Sequence, residues 1–156
     1  MRIIGGVLFI LVMAFANLSA LAESYKYKRE DLEKLKTTGN CVSCYLRGAK
    51  LNGLDLSGAD LKMVKLNKSN LTGVNLSGAD LFASDFTNAK MRGANLSGAN
   101  LHAAYLRGTD LRESDLSGTN LENAVLLNAD LRGANLGGAR FCHTVMPDGR
   151  KIKGTC

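Results

Sequence analysis

Two cysteines three positions apart, Cys41 and Cys44, are the residues of this chain best placed to do chemistry. A C-x-x-C pair exchanges disulfides when its surroundings lower one thiol's pKa, because the thiolate is the attacking species. The usual setting is missing, since no βαβ pattern surrounds the pair and no helix clearly starts at Cys41. A zinc site would have to join Cys41 and Cys44 to a distant His. His102 and His143 have no implied partner except Glu122, twenty positions after His102, and read as surface histidines. The sequence contains no evident Ser-His-Asp set, paired acids or phosphate-cradling glycine loop. The expectation is a non-enzymatic protein with no catalytic residues, cofactor or metal. A periplasmic thiol-redox protein using Cys41 and Cys44 is the alternative.

Anion binding is the other chemistry to weigh. Arg92, Arg112 and Arg132 recur every twenty residues, and Lys50 and Lys90 occupy a neighbouring column. Three guanidinium groups held one above another repel, so they need counterions, acids or a ligand. Asp110, Glu113 and Asp130 are close enough to serve. The strip is therefore either a self-neutralised solvated face or a site for a partner or an anionic envelope polymer.

The element that must position these groups is written in a ladder. One apolar residue recurs every fifth position from Leu46 to Met146, and seventeen of the twenty-one rungs are Leu. The others are Phe86, Met91, Phe141 and Met146. Two residues before each rung sits a mostly small residue, such as Ala79, Ala99 or Ala124. A spacing of five suits neither helix nor ordinary strand, so the chain must turn a corner in each unit. Stacking the sequence at twenty aligns Gly58, Gly78, Gly98, Gly118 and Gly138, beside Ser57, Ser77, Ser97 and Ser117. Another column at the same period, Met63, Ala83, Ala103, Asn123 and His143, has no glycine. Four five-residue sides per coil follow, giving an all-β solenoid of about five coils with Leu stacked on Leu at about 4.8 Å. A type II turn needs positive φ at its third residue, which glycine supplies. The glycine-free corner is therefore expected to use type I or irregular turns. Leu54 interrupts the small inward series in the first coil, where the section has room to widen.

The units Ala59-Asp60-Leu61, Ala79-Asp80-Leu81, Ala99-Asn100-Leu101 and Ala134-Asn135-Leu136 resemble the A-(D/N)-L-x-x motif of the pentapeptide repeat proteins. The resemblance covers residues 44 to 146, and the flanks Cys41-Val42-Ser43-Cys44 and Phe141 to Cys156 are similar to those of many bacterial and chloroplast members. It implies a right-handed quadrilateral β-helix and little about activity. The best understood members resemble DNA in shape and charge and bind DNA gyrase. They are cytoplasmic and strongly acidic, which argues against that role here.

On such a rod, Cys41 and Cys44 lie at one end and Cys142 and Cys156 at the other. A bridge needs Cα atoms within about 7 Å, leaving the pairs Cys41–Cys44 and Cys142–Cys156. Residues 1 to 22 read as a secretory signal, with Arg2, an apolar stretch Ile3 to Phe15, and Ala20-Leu21-Ala22 for cleavage. The expected mature chain begins at Glu23, is exported to the periplasm or beyond, and carries no membrane span. Nineteen basic residues then face fourteen acidic ones, a net charge of +5. Residues 23–43 are expected to form a helical cap, with a helix over Tyr25 to Lys36, a Glu30–Lys34 pair and a stop at Gly39. Residues 147–156 form a C-terminal tail after the array. No nucleic acid partner is expected; a protein partner is. The column Phe82, His102, Glu122 and Cys142, with Val125 and Leu127, leaves a homo-oligomer contact open.

Overall fold

The structure is a computed structural model, and residues 27–153 are described. The expected signal, its expected cleavage site and Cys156 lie outside that range. Parallel bridges join each residue before a rung to its counterpart twenty positions on, as in Asn75↔Asn95↔Asp115↔Asn135 and Tyr45↔Lys65↔Asp85↔Tyr105↔Val125↔Val145. The four such ladders define four sides around one core.

One pentapeptide shows how the backbone is satisfied. Leu96 N–H donates to Asp115 O (2.7 Å) and Gly98 N–H to Ser117 O (2.8 Å), both toward the next coil. Ala99 N–H closes the turn on Leu96 O (2.9 Å), and Asn100 N–H returns to Ala79 O (2.9 Å) in the previous coil. The fifth donor, Ser97 N–H, goes to the Asn95 side chain at 3.0 Å. Where an Asp or Asn precedes a rung, it thus caps the one amide that stacking leaves over, an Asx turn repeated at Asp55, Asn75, Asp80, Asn100, Asp115 and Asn135 among others.

The interior is filled by the ladder. Rungs from Leu46 to Leu126 are buried, with Phe86, Met91 and Leu101 at 0 % exposure. Polar residues in the small inward columns are also satisfied: Ser84 and Ser114 donate within their own turns to Leu81 O and Leu111 O at 2.6 Å, while Thr109 and Thr119 reach back to Phe86 O and Leu96 O. Leu131, Leu136, Phe141 and Met146 form the last layer and are only partly buried. Leu54 is partly buried too, packed against the core.

The glycine-free corner departs from expectation. Met63, Ala83, Ala103, Asn123 and His143 all adopt positive φ, from 52° to 58°, as do the glycines of the other corners. The cause is stacking. Each of these residues except His143 donates its N–H to the next coil, as Met63 does to Phe82 O (2.8 Å) and Ala103 to Glu122 O (2.9 Å). A type I turn would misdirect that donor. Left-handed geometry at a non-glycine residue costs about 1 kcal/mol. Replacing both Ala83 and Ala103 by Gly is therefore expected to stabilise the protein by about 1 kcal/mol in total, after the entropy of glycine in the unfolded chain is subtracted. Urea titration of the double variant checks this.

Below the first coil lies α1, Arg29–Thr38. It starts later than Tyr25 because Lys28 is held extended, its N–H donating to Tyr45 O at 3.0 Å. It ends on a left-handed Gly39, whose N–H returns to Leu35 O, and it buries Leu32 and Leu35. The expected Glu30–Lys34 pair is replaced by Lys36–Glu33 at 3.3 Å, both exposed. Two polar side chains stand in for a missing coil. Asp31 Oδ2 accepts from Tyr45 N–H at 2.6 Å, and Asn40 Oδ1 accepts from Asp60 N–H at 2.7 Å. These amides would otherwise face an unpaired edge.

Candidate interaction surface

Cys41 and Cys44 are joined, with Cα atoms 5.4 Å apart. They are 0 % and 3 % exposed, where the chain leaves α1 and enters the first coil. A buried bridge offers no sulfur to an incoming thiolate. Cys142 is also disulfide-bonded and buried, while its expected partner lies outside the described residues. Among the described residues no three His, Cys, Asp or Glu side chains gather to hold a metal. A depression of about 480 Å³ beside the tail is lined by Met146, Pro147, Asp148, Arg150, Lys151 and Ile152. Its Asp148 and Arg150 already pair with each other.

The Arg92-Arg112-Arg132 strip is neutralised from within. Arg92 pairs with Glu113 at 2.6 Å, Arg112 with Asp110 at 2.7 Å and Asp130 at 3.6 Å, and Arg132 with Asp130 at 2.6 Å. The Arg132 hydrogen bonds hold Asp130 down to about 2, and the Arg112 and Arg92 guanidiniums likewise lower Asp110 and Glu113. Lys50 and Lys90 are exposed in the adjacent ladder, with no acid in ion-pair range among the described residues. The strip is thus a network of pairs flanked by two free cations.

Acid sensitivity follows from these directions. Asp55 and Asp115 are lowered by hydrogen bonds from Ser57 and Ser117, and Asp60 by Lys62. A carboxylate depressed in the folded state contributes stability that is complete above its unfolded value near 4 and lost as pH falls through its folded value. The melting temperature should be level from about pH 7 to 5 and fall between about pH 4 and 2, where Asp130 finally protonates. Scanning calorimetry across that range checks it.

His102 stacks on Phe82, ring centres 5.6 Å apart and planes within 12°. Its Nδ1 lies 3.7 Å from Glu122, which also binds Arg140. Phe82, His102, Glu122 and Arg140 thereby form a continuous run over three coils. The sequence reading missed a broader pattern. Among the described residues, the exposed large apolar ones, Val42, Tyr45, Met63, Phe82 and Tyr105, all fall on one side and the corner that leads into it. Stacking the sequence at twenty places them in three nearly adjacent columns, a signal available from the sequence.

Two layers of comparison identify the class. The chain is a stacked β-solenoid with a twenty-residue coil, and the family description "Pentapeptide repeats" matches residues 40–78, 79–118 and 110–146 in eight copies. The chain belongs to the pentapeptide repeat family, whose fold is the right-handed quadrilateral β-helix. It is similar to a pentapeptide repeat protein of the Arabidopsis thaliana thylakoid lumen, with 34% identity over 65% of this chain and 71% of that one, at a TM-score of 0.64. It shares its fold with a pentapeptide repeat protein of the cyanobacterium Cyanothece 51142, with 24% identity over 75% of this chain and 97% of that one, at a TM-score of 0.61. A comparison with curated proteins finds no match. Among the described residues no helix is long and apolar enough to cross a membrane.

Proposed function

We propose that this is an exported, non-enzymatic rod that binds a protein partner through its outer side-chain columns. It is built from about five coils over residues 44–146, capped by the helical segment 23–43 and followed by the tail 147–156. The observation that carries this reading is the filled interior. With the rungs from Leu46 to Leu126 buried, the side chains available to a ligand are those of the sides and ends. The likeness to a thylakoid-lumen protein supports export, as does the apolar N-terminal stretch.

The pairing within the Arg strip favours a protein partner over an anionic polymer, since each guanidinium already has a carboxylate. Burial of the Cys41–Cys44 bridge favours a structural role over thiol exchange. Insulin-disulfide reduction tests the enzymatic alternative directly. No turnover above buffer is expected, and sustained turnover abolished by Cys41→Ser would overturn the non-enzymatic reading.

A further inference from the structure

The apolar side is where the fold gives up its own local rules. Elsewhere the residue before each rung is usually Asp or Asn, which caps the leftover amide; in the Tyr45, Lys65, Asp85, Tyr105, Val125, Val145 ladder only Asp85 does so. The corner entering this side is also the one without glycine, paying left-handed strain at Met63, Ala83 and Ala103. Both departures place side chains where cheaper residues would fold as well, and these include Tyr45, Met63 and Tyr105, exposed by 39 %, 44 % and 52 %. Local rules broken together at one place mark a functional surface. Aromatic residues and Met are also the residues enriched at protein interfaces.

The order of residues along this side says what fits it. From the first coil to the fourth, the central ladder runs Tyr45, Lys65, Asp85, Tyr105, evenly spaced at about 4.8 Å. Turned end over end, the series is its own complement. We propose that the side docks a second copy of this chain, with the two rods antiparallel and the two-fold axis crossing the side midway between Lys65 and Asp85.

In that register Tyr45 meets the partner's Tyr105 and Lys65 meets the partner's Asp85. Along the corner, Met63 comes over the partner's Ala83, and the aliphatic stem of Lys62, whose ammonium is paired with Asp60 at 3.0 Å and Asp80 at 3.5 Å, comes over the ring of the partner's Phe82. A two-fold axis lying across the side sends each column onto itself, so these matches occur together and each occurs twice. In this register Lys65 and Asp85 meet twice across the axis, while Glu122 is held by Arg140 within its own chain and lies beyond the paired coils. Arg47 and Arg107 on the far corner would face each other at the rim, where about 0.15 M salt screens them over about 8 Å. A patch four coils long is about 20 Å, at the small end for a specific interface, so the dimer is weak, with a dissociation constant on the order of 10–100 µM.

This rests on the protein-binding reading above and names its partner. The experiment is sedimentation of the exported, disulfide-bonded chain purified from cells, from about 1 to 500 µM at about 0.15 M salt. Lys65→Asp and Asp85→Lys place residue types that the ladders already carry at equivalent positions, so both variants should fold. Each alone sets like charges against each other twice, and each should weaken dimerisation by about tenfold or more. Mixed in equal amounts they should form a heterodimer near wild-type affinity, because the new carboxylate at position 65 then faces the new ammonium at position 85, and the native Asp85 faces the native Lys65. Tyr105→Ser should weaken association similarly, and Arg132→Gln, on another side, should not. A wild-type chain monomeric throughout, or a mixture no tighter than its components, overturns the proposal. A monomeric chain that still captures a different protein through Tyr105 would overturn self-association alone and leave the protein-binding reading standing.

Discussion

Phe86→Ala is expected to lower stability by about 3–5 kcal/mol, the largest single effect in this protein. Phe86 is wholly buried and occupies the ladder position between Leu66 and Leu106. Its backbone cannot follow the loss. The Phe86 N–H donates to Tyr105 O at 2.8 Å, and its carbonyl accepts from the Thr109 hydroxyl at 2.9 Å. Coils on both sides are held at a fixed spacing by hydrogen bonds, so the cavity stays open instead of collapsing. Urea unfolding should show a lower midpoint with little change in slope. A loss below about 1 kcal/mol would mean that the layers can close on the gap.

Overfilling should hurt almost as much. Ala99→Leu is expected to cost about 2–3 kcal/mol. Ala99 is wholly buried between the rungs Leu96 and Leu101, themselves at 0 % exposure, and Ala79 lies one coil away in its column. Three extra carbons have nowhere to go without pushing coils apart. The same change at Ala139, partly buried in the last layer, should cost less than about 1 kcal/mol. Leu54 is a natural instance, a large residue in a small column that is only partly buried. Thermal melts of the two variants side by side check the contrast.

What could be read from the chain was whatever the repeat writes many times. The coil of twenty was legible in the Gly58 to Gly138 column, and the bridges fall at that spacing. The acids beside the Arg strip were legible because Asp110, Glu113 and Asp130 are neighbours in sequence as well as in space. The glycine-free corner was misjudged for a physical reason. A preference worth about 1 kcal/mol at one residue cannot oppose hydrogen bonds from adjacent coils that impose one geometry on every corner. Asp31 and Asn40 were not legible at all, since each replaces a backbone acceptor just once, with no repeat to announce it. The aromatic side is harder to see in the sequence because Phe82 stands in one column while Tyr45 and Tyr105 share another, three positions away.

Function on this fold comes down to which side is used. The most direct measurement is capture from an extract of the cells that make the protein by the wild-type chain, by a Phe82→Ser/Tyr105→Ser variant, and by a variant with Arg92, Arg112 and Arg132 all changed to Gln. The expected result is a stoichiometric protein, or a second copy of the chain, held by the wild type and the Gln variant and lost by at least about tenfold from the Ser variant. Retention by the Ser variant with loss from the Gln variant would contradict it, moving recognition to the Arg strip and its ligand to an anion.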